Sequence, residues 1–199
     1  LIRDIHRTYL LAGADAVETN TFGGSTLTLA EFDLQDRTVE INRIAAQLAQ
    51  EAIDSLPKDG RSRFVVGSIG PGTRLPSLGH IAYRPLEDGF TLQAQGLIEG
   101  GAHALLVETC QDPLQIKAAV NGCRNAFKTT GKILPIMVQV TIETTGTMLV
   151  GTDIAAATTI IDALGVQVLG MNCATGPKEM AEHLRHISQN WRGLISILP

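Results

Sequence analysis

The stretch "EGGAHALLVETCQDPLQI" (residues 99–116) holds one complete structural step. Gly100 and Gly101 close a helix, because glycine accepts the left-handed backbone on which helices often end. "HALLVETC" (103–110) is apolar for most of its length, as a strand buried on both faces should be. Pro113 then opens a new helix at the position where its missing N–H costs nothing. The polar residues of the step fall at the C-terminal tip of the strand.

The same step recurs in both directions along the chain. Upstream, Leu1, Ile2, Ile5, Tyr9 and Leu10 keep helical spacing up to Gly13, and "DAVETNT" (15–21) is a short strand with a polar end. An amphipathic helix follows over 36–55, with Val39, Ile41, Ile44, Leu48 and Ile53 on one side. "RFVVGSIG" (63–70) is the second strand. It runs into an irregular Pro/Gly-rich stretch, 71–85, before a helix at about 87–100. Downstream of Pro113 the helix reaches about Lys128, "ILPIMVQVT" (133–141) is a strand, and a helix covers 153–165 with Asp153 as its N-cap. "VQVLGMNC" (166–173), a helix from Pro177 to about Gln189, and "GLISILP" (193–199) complete the pattern.

Six strands alternating with helices imply a parallel sheet, either doubly wound or a (β/α)8 barrel. No GxGxxG follows a strand, so the dinucleotide fingerprint of the doubly wound fold is missing. The Gly-Ala-Asp and Gly-Gly-Ala-His steps resemble the αβ turns of a barrel, which favours the (β/α)8 TIM barrel. Six βα units fall short of eight, and a full barrel usually takes about 250 residues. The expectation is therefore a single barrel domain over 1–199, incomplete by roughly one unit at each end. The lack of an initiator Met and the strand-like last residues fit a piece of something longer.

With 44% apolar and 18% charged residues the composition is that of a soluble globular chain. The net charge of −4 and the absence of a Lys/Arg cluster argue against a nucleic-acid surface. No apolar run approaches the roughly 20 residues of a membrane span. With no signal-peptide pattern, and with three dispersed cysteines (Cys110, Cys123, Cys173) in no disulfide spacing, a reducing, cytoplasmic setting is expected.

In a parallel barrel the C-terminal strand ends build the site. Here those ends carry Glu18 and Asn20, Ser68, Glu108, Gln139, then Asn172 and Cys173. Acidic residues ending apolar strands are costly to desolvate unless a ligand or partner compensates, and "VET" occurs twice, at 17–19 and 107–109. Cys173 alone reads three ways: buried packing, a nucleophile, or one metal ligand. A nucleophile needs a base, yet His6, His80, His103, His183 and His186 all lie off the strand tips. His80 could reach the site only if the 71–85 loop folds inward. A Schiff-base mechanism needs a lysine at a strand end, and Lys58, Lys117, Lys128, Lys132 and Lys178 are all in helices or turns. Gly176-Pro177 could present a helix start to an anion, as any helix can. A zinc site wants three protein ligands plus an open position, so a single thiol falls short. By strand alternation Cys110 could share the face of Glu108, above the strand end, while Cys123 lies within a helix.

Taken together, "AGADAVETNTFGG" (12–24), "GSIGPGTRLPSLG" (67–79), "LLVETCQDPLQIKAAV" (105–120), "VTIETTGTMLVG" (140–151) and "GMNCATGP" (170–177) resemble the homocysteine S-methyltransferase domain family. They span almost the whole chain in the right order. "ETTGTML" and "GPGTRLPSLGH" look most like the cobalamin-dependent, methionine-forming branch, whose homocysteine-binding module is N-terminal, rather than the S-methylmethionine- or betaine-using enzymes. The resemblance implies a (β/α)8 barrel that holds Zn²⁺ through three cysteines. It makes Cys173 a zinc ligand, sets Glu108 toward the homocysteine amino group with Glu18 and Asn20 on the same pocket rim, and has Asn172 orient the cysteine or substrate. The other two ligands belong to a Gly-Gly-Cys-Cys segment expected beyond Pro199, so residues 1–199 alone should be inactive, or serve only as a binding or scaffold unit. Cobalamin and methyltetrahydrofolate would be carried by other modules of the same protein.

Overall fold

All six expected strands are present in the computed structural model, which describes residues 1–199, and every neighbouring pair runs parallel. They are β1 (Ala16–Glu18), β2 (Phe64–Ile69), β3 (Ala104–Cys110), β4 (Ile136–Val140), β5 (Val168–Asn172) and β6 (Leu194–Leu198). Their order in the sheet is β1-β2-β3-β4-β5-β6. A doubly wound sheet starts in its middle and reverses direction at a switch point. This sheet adds each new strand to the same edge, as a barrel does. It is an incomplete (β/α)8 barrel.

The helices are α1 (Ile2–Leu11), α2 (Thr26–Leu29), α3 (Thr38–Asp54), α4 (Tyr83–Glu99), α5 (Pro113–Thr130), α6 (Ile154–Ala163) and α7 (Pro177–Asn190). Gly13, Gly101, Gly131 and Gly165, all at positive φ, turn the chain from a helix into the next strand. Asp112 and Asp153 cap α5 and α6, accepting from Leu114 N and Ala156 N, both at 2.8 Å. No helix is long and apolar enough to cross a membrane.

Strand alternation divides the side chains cleanly. Val65, Leu105, Val138 and Leu169 point outward and are fully buried, in one cluster with Ala46, Leu97, Ile116, Val120 and Ile161 of the helices. Burying aliphatic side chains of this size stabilises by about 1.5–3 kcal/mol each, so this outer layer holds the fold. The inner face carries the polar tips. β1 and β6 each have one neighbour, and the sheet curls until residues of both line one cleft of about 560 Å³, with Glu18 and Leu198 on opposite sides and Ile2, Ile5 and His6 of α1 behind.

Three differences from the sequence reading bear on the site and its surroundings. β1 ends at Glu18, not Thr21, because hydroxyls take over from the backbone: Ser68 N donates to Thr19 Oγ1 (3.0 Å) and Thr21 Oγ1 donates to Ser68 O (2.6 Å). α4 starts at Tyr83, with Pro85 tolerated in its first turn. Between Phe22 and Arg37, where periodicity indicated nothing, the chain forms α2 and two 3-10 turns. The 71–82 loop is pinned to the start of α5: Ser77 donates from N (2.8 Å) and Oγ (2.7 Å) to Asp112, and Gln115 Nε2 donates to Arg74 O (2.9 Å). His80, on that loop, stays exposed.

Candidate functional site

Glu18, Ser68, Glu108, Gln139 and Asn172 stand on the inner face at the C-terminal ends of β1 to β5, and Cys173 follows directly. Ser68 Oγ donates to Glu108 Oε1 at 2.5 Å, and both residues are buried. Burial pushes the Glu108 carboxyl above its ordinary range, and the Ser68 hydrogen bond draws it partly back. Glu18 is raised too, first by burial of its carboxyl and then by the charge of Glu108. The residue is otherwise open to the cleft, where it stands beside the exposed Asn20. Two carboxylates thus share one end of the barrel with no cation paired to either.

Asn172 is the joint between β3 and β5. Its Oδ1 accepts from Thr109 N (3.0 Å), and its Nδ2 donates to Thr109 Oγ1 (2.7 Å) and to Cys173 Sγ (3.3 Å). Thr141, just past β4, donates to the Asn172 carbonyl at 3.1 Å. The residues so held are strained. Thr109, Cys173 and Ala174 all lie in the left-handed region (φ +58°, +60° and +58°), where a non-glycine residue costs on the order of 1–3 kcal/mol. For a β-branched threonine that conformation is a clear outlier. Such strain persists only where the surroundings impose it, and here the Asn172 amide imposes it.

The strained Thr109 also corrects the expectation for Cys110. Val107 pairs with Val138 and Cys110 with Val140, so Glu108 and Thr109 together oppose the single residue Gln139. This bulge turns Cys110 away from Glu108 and into the core beneath the helices. Its thiol is fully buried and pushed far up by desolvation. Cys123, in α5, is buried as well and pushed up to about 12. Only Cys173 is exposed.

The sequence reading named Ser68 and Gln139 among the tips but gave them no role. Gln139 Nε2 donates to Ser196 Oγ at 2.8 Å, leaving its buried Oε1 without a partner. Thr109 went unnoticed, and only the second "VET" pointed toward it. His6 was set aside as helical. It is buried, its Nε2 has no partner, its pKa is lowered by burial, and it lines the same cleft as Glu18.

The arrangement supplies an exposed, hydrogen-bonded thiol at the same barrel end as a buried carboxyl. Such a thiol is a soft ligand for a metal ion, and such a carboxyl suits a cationic group. Cys173 fits a zinc ion in kind, as an exposed sulfur on a backbone fixed by strain. It falls short in number, because residues 1–199 bring no three metal-ligating side chains together.

A family model described as homocysteine S-methyltransferase matches residues 1–199. The methionine synthase of Mycobacterium tuberculosis (strain ATCC 25618 / H37Rv) is 50% identical over 199 residues, and that of Mycobacterium leprae (strain TN) is 49% identical. These matches cover 100% of the chain but only 17% and 16% of the two relatives' lengths. Among solved structures, the metallated form of the homocysteine methyltransferase MmuM from Escherichia coli superposes with a TM-score of 0.81 at 18% identity, over 98% of this chain and 70% of that one. Its apo form gives 0.76 at 17% identity, covering 98% and 69%. At such identities the likeness bears on the fold alone.

Proposed function

The chain belongs to the homocysteine S-methyltransferase family, and from that premise we propose that residues 1–199 form a homocysteine-binding domain whose reaction methylates the homocysteine thiol to give methionine. One observation carries the reading: an exposed thiol, Cys173, held by the Asn172 amide, stands at the same barrel end as a buried carboxylate, Glu108. The amino group of homocysteine, a cation near neutral pH, would pair with Glu108. Glu18 and Asn20 would form the rim beside it. The substrate sulfur would then point toward Cys173, whose direction Asn172 fixes.

Zinc, when bound, supplies the positive charge that keeps a thiol deprotonated and nucleophilic near neutral pH. Within this chain Cys173 would hold it, with two further cysteine ligands supplied from outside residues 1–199. The resemblance of "ETTGTML" and "GPGTRLPSLGH" to the cobalamin-dependent branch supports a cobalamin-dependent methyl donor, with cobalamin and methyltetrahydrofolate carried by other domains of a longer protein. S-methylmethionine or betaine are the alternative donors. A barrel acting only as a binding or scaffold unit is the second reading, favoured by the shortfall in metal ligands. Three free thiols suit the reducing cytoplasm.

Two variants of the full-length protein test this. Cys173→Ala is expected to lose bound zinc, measured by atomic emission, together with methyl transfer to homocysteine. Zinc at full stoichiometry in that variant would sink the assignment. Glu108→Gln is expected to keep its zinc and weaken homocysteine binding about tenfold or more, the scale of one lost charge-assisted contact. Supplying methylcobalamin, S-methylmethionine and betaine in turn identifies the donor.

A further inference from the structure

Glu108 stands near the end of an apolar strand, where its burial opposes ionisation. Glu18, at the tip of β1, is the other carboxyl at this end of the barrel. Cys110 on its own strand is a buried thiol. Cys173, just past β5, is an exposed thiol, and β4 contributes only the uncharged Gln139. No lysine, arginine or histidine forms an ion pair with Glu108. The single compensating group is the hydroxyl of Ser68, 2.5 Å from Oε1.

Ser68 is itself clamped. Its N donates to Thr19 Oγ1 (3.0 Å), and its carbonyl accepts from Thr21 Oγ1 (2.6 Å) and Gln93 Nε2 (3.4 Å). Thr19 and Thr21 are bonded to each other at 2.6 Å, so the "TNT" segment (19–21) grips the tip of β2 from both sides. The serine is 2% exposed, which leaves its hydroxyl few directions to point. Ser68 Oγ is thereby aimed at Glu108 Oε1, a hydroxyl donor set against a carboxyl oxygen.

We propose that Ser68 is a positioning residue that sets amino-acid specificity, by keeping Glu108 a carboxylate when the substrate's amino group is a cation. The proposal rests on Glu108 being the amino-group partner. It predicts that the chain selects homocysteine over the same thiol without an α-amino group, and that this selection is lost with the hydroxyl. A serine that merely packs would change stability and leave the preference alone.

The test uses the full-length protein with Ser68→Ala, Ser68→Thr and Glu108→Gln. Dissociation constants for homocysteine and for its des-amino analogue, γ-mercaptobutyrate, are measured from weakly acidic to alkaline pH. Ser68→Ala is expected to weaken homocysteine several-fold at weakly acidic pH, where Glu108 without its hydroxyl donor takes up a proton more readily. The loss should shrink as pH rises and the carboxylate re-forms. Binding of γ-mercaptobutyrate should stay within about twofold, and Ser68→Thr should restore the wild-type profile. Unchanged homocysteine affinity in Ser68→Ala, or equal weakening of both ligands at every pH, overturns the role of Ser68. If Glu108→Gln also binds homocysteine normally, the reading of Glu108 fails first. Infrared difference spectra of the wild type provide a check that needs no folded variant: a protonated Glu108 carbonyl band near neutral pH overturns the proposal directly.

Discussion

Replacing Asn172 with alanine removes the only side chain that spans β3 and β5 at the site. Thr109 N loses its acceptor at 3.0 Å and Thr109 Oγ1 its donor at 2.7 Å. An orphaned amide costs about 1–3 kcal/mol and a lost neutral hydrogen bond about 1 kcal/mol. Against this, Thr109 is freed to leave its left-handed conformation, which returns on the order of 1–2 kcal/mol. The net local loss is about 2 kcal/mol, or a roughly 30-fold faster exchange of the Thr109 amide with deuterium. Asn172→Asp separates the contributions. Its carboxylate still accepts from Thr109 N, and the Thr109 hydroxyl can reverse and donate to it, so exchange should stay within about threefold of wild type. The Sγ of Cys173 loses its N–H donor in both variants. Amide-resolved exchange by NMR reads Thr109 directly. Wild-type exchange in Asn172→Ala would show that the bulge holds itself, and the account of the strain given above would be wrong.

Glu108 lends itself to a stability measurement. Its native pKa is raised, so the folded state retains a proton that the unfolded state has released, and stability falls as pH rises through that window. Glu108→Gln removes this penalty while its amide oxygen still accepts from Ser68. Urea unfolding should show a gain in stability near neutral pH, closing as pH drops below the ordinary carboxylate range, and a loss at neutral pH would contradict the burial argument. Thiol accessibility is simpler to read. Iodoacetamide should label Cys173 of the folded chain and leave Cys110 and Cys123 untouched until denaturant is added, with mass spectrometry counting the adducts; early labelling of Cys110 would contradict the bulge.

Much of the fold was legible because buried parallel strands are written as apolar runs, and glycines mark where each helix gives way. "HALLVETC" and "VQVLGMNC" could hardly be anything else. Sheet order was not written in any one segment. It follows from how the six units pack, which is why a barrel and a doubly wound sheet both survived the sequence. The site was legible in its residue types, since polar tips on apolar strands stand out. It was not legible in its facing. Strict alternation puts Cys110 beside Glu108, and only the left-handed Thr109, locked by a residue 63 positions away, turns it to the opposite side. The grip of Thr19 and Thr21 on Ser68 was hidden for a related reason. "TNT" looks like more strand, and only its hydroxyls reveal that it ends one.

The sequential order of the sheet has a consequence for how the chain is made. Ala16 pairs with Phe64, Val66 with Ala104, Leu105 with Ile136, Met137 with Val168, and Val168 with Leu194. From β2 onward, each strand leaving a ribosome therefore finds a partner already synthesised and waiting at the growing edge. Local pairing of this kind shortens the time that sticky edges spend exposed. The Ser68–Glu108 contact can close as soon as β3 arrives. The Asn172–Thr109 latch must wait for β5, so the exposed thiol is fixed in place after the carboxylate.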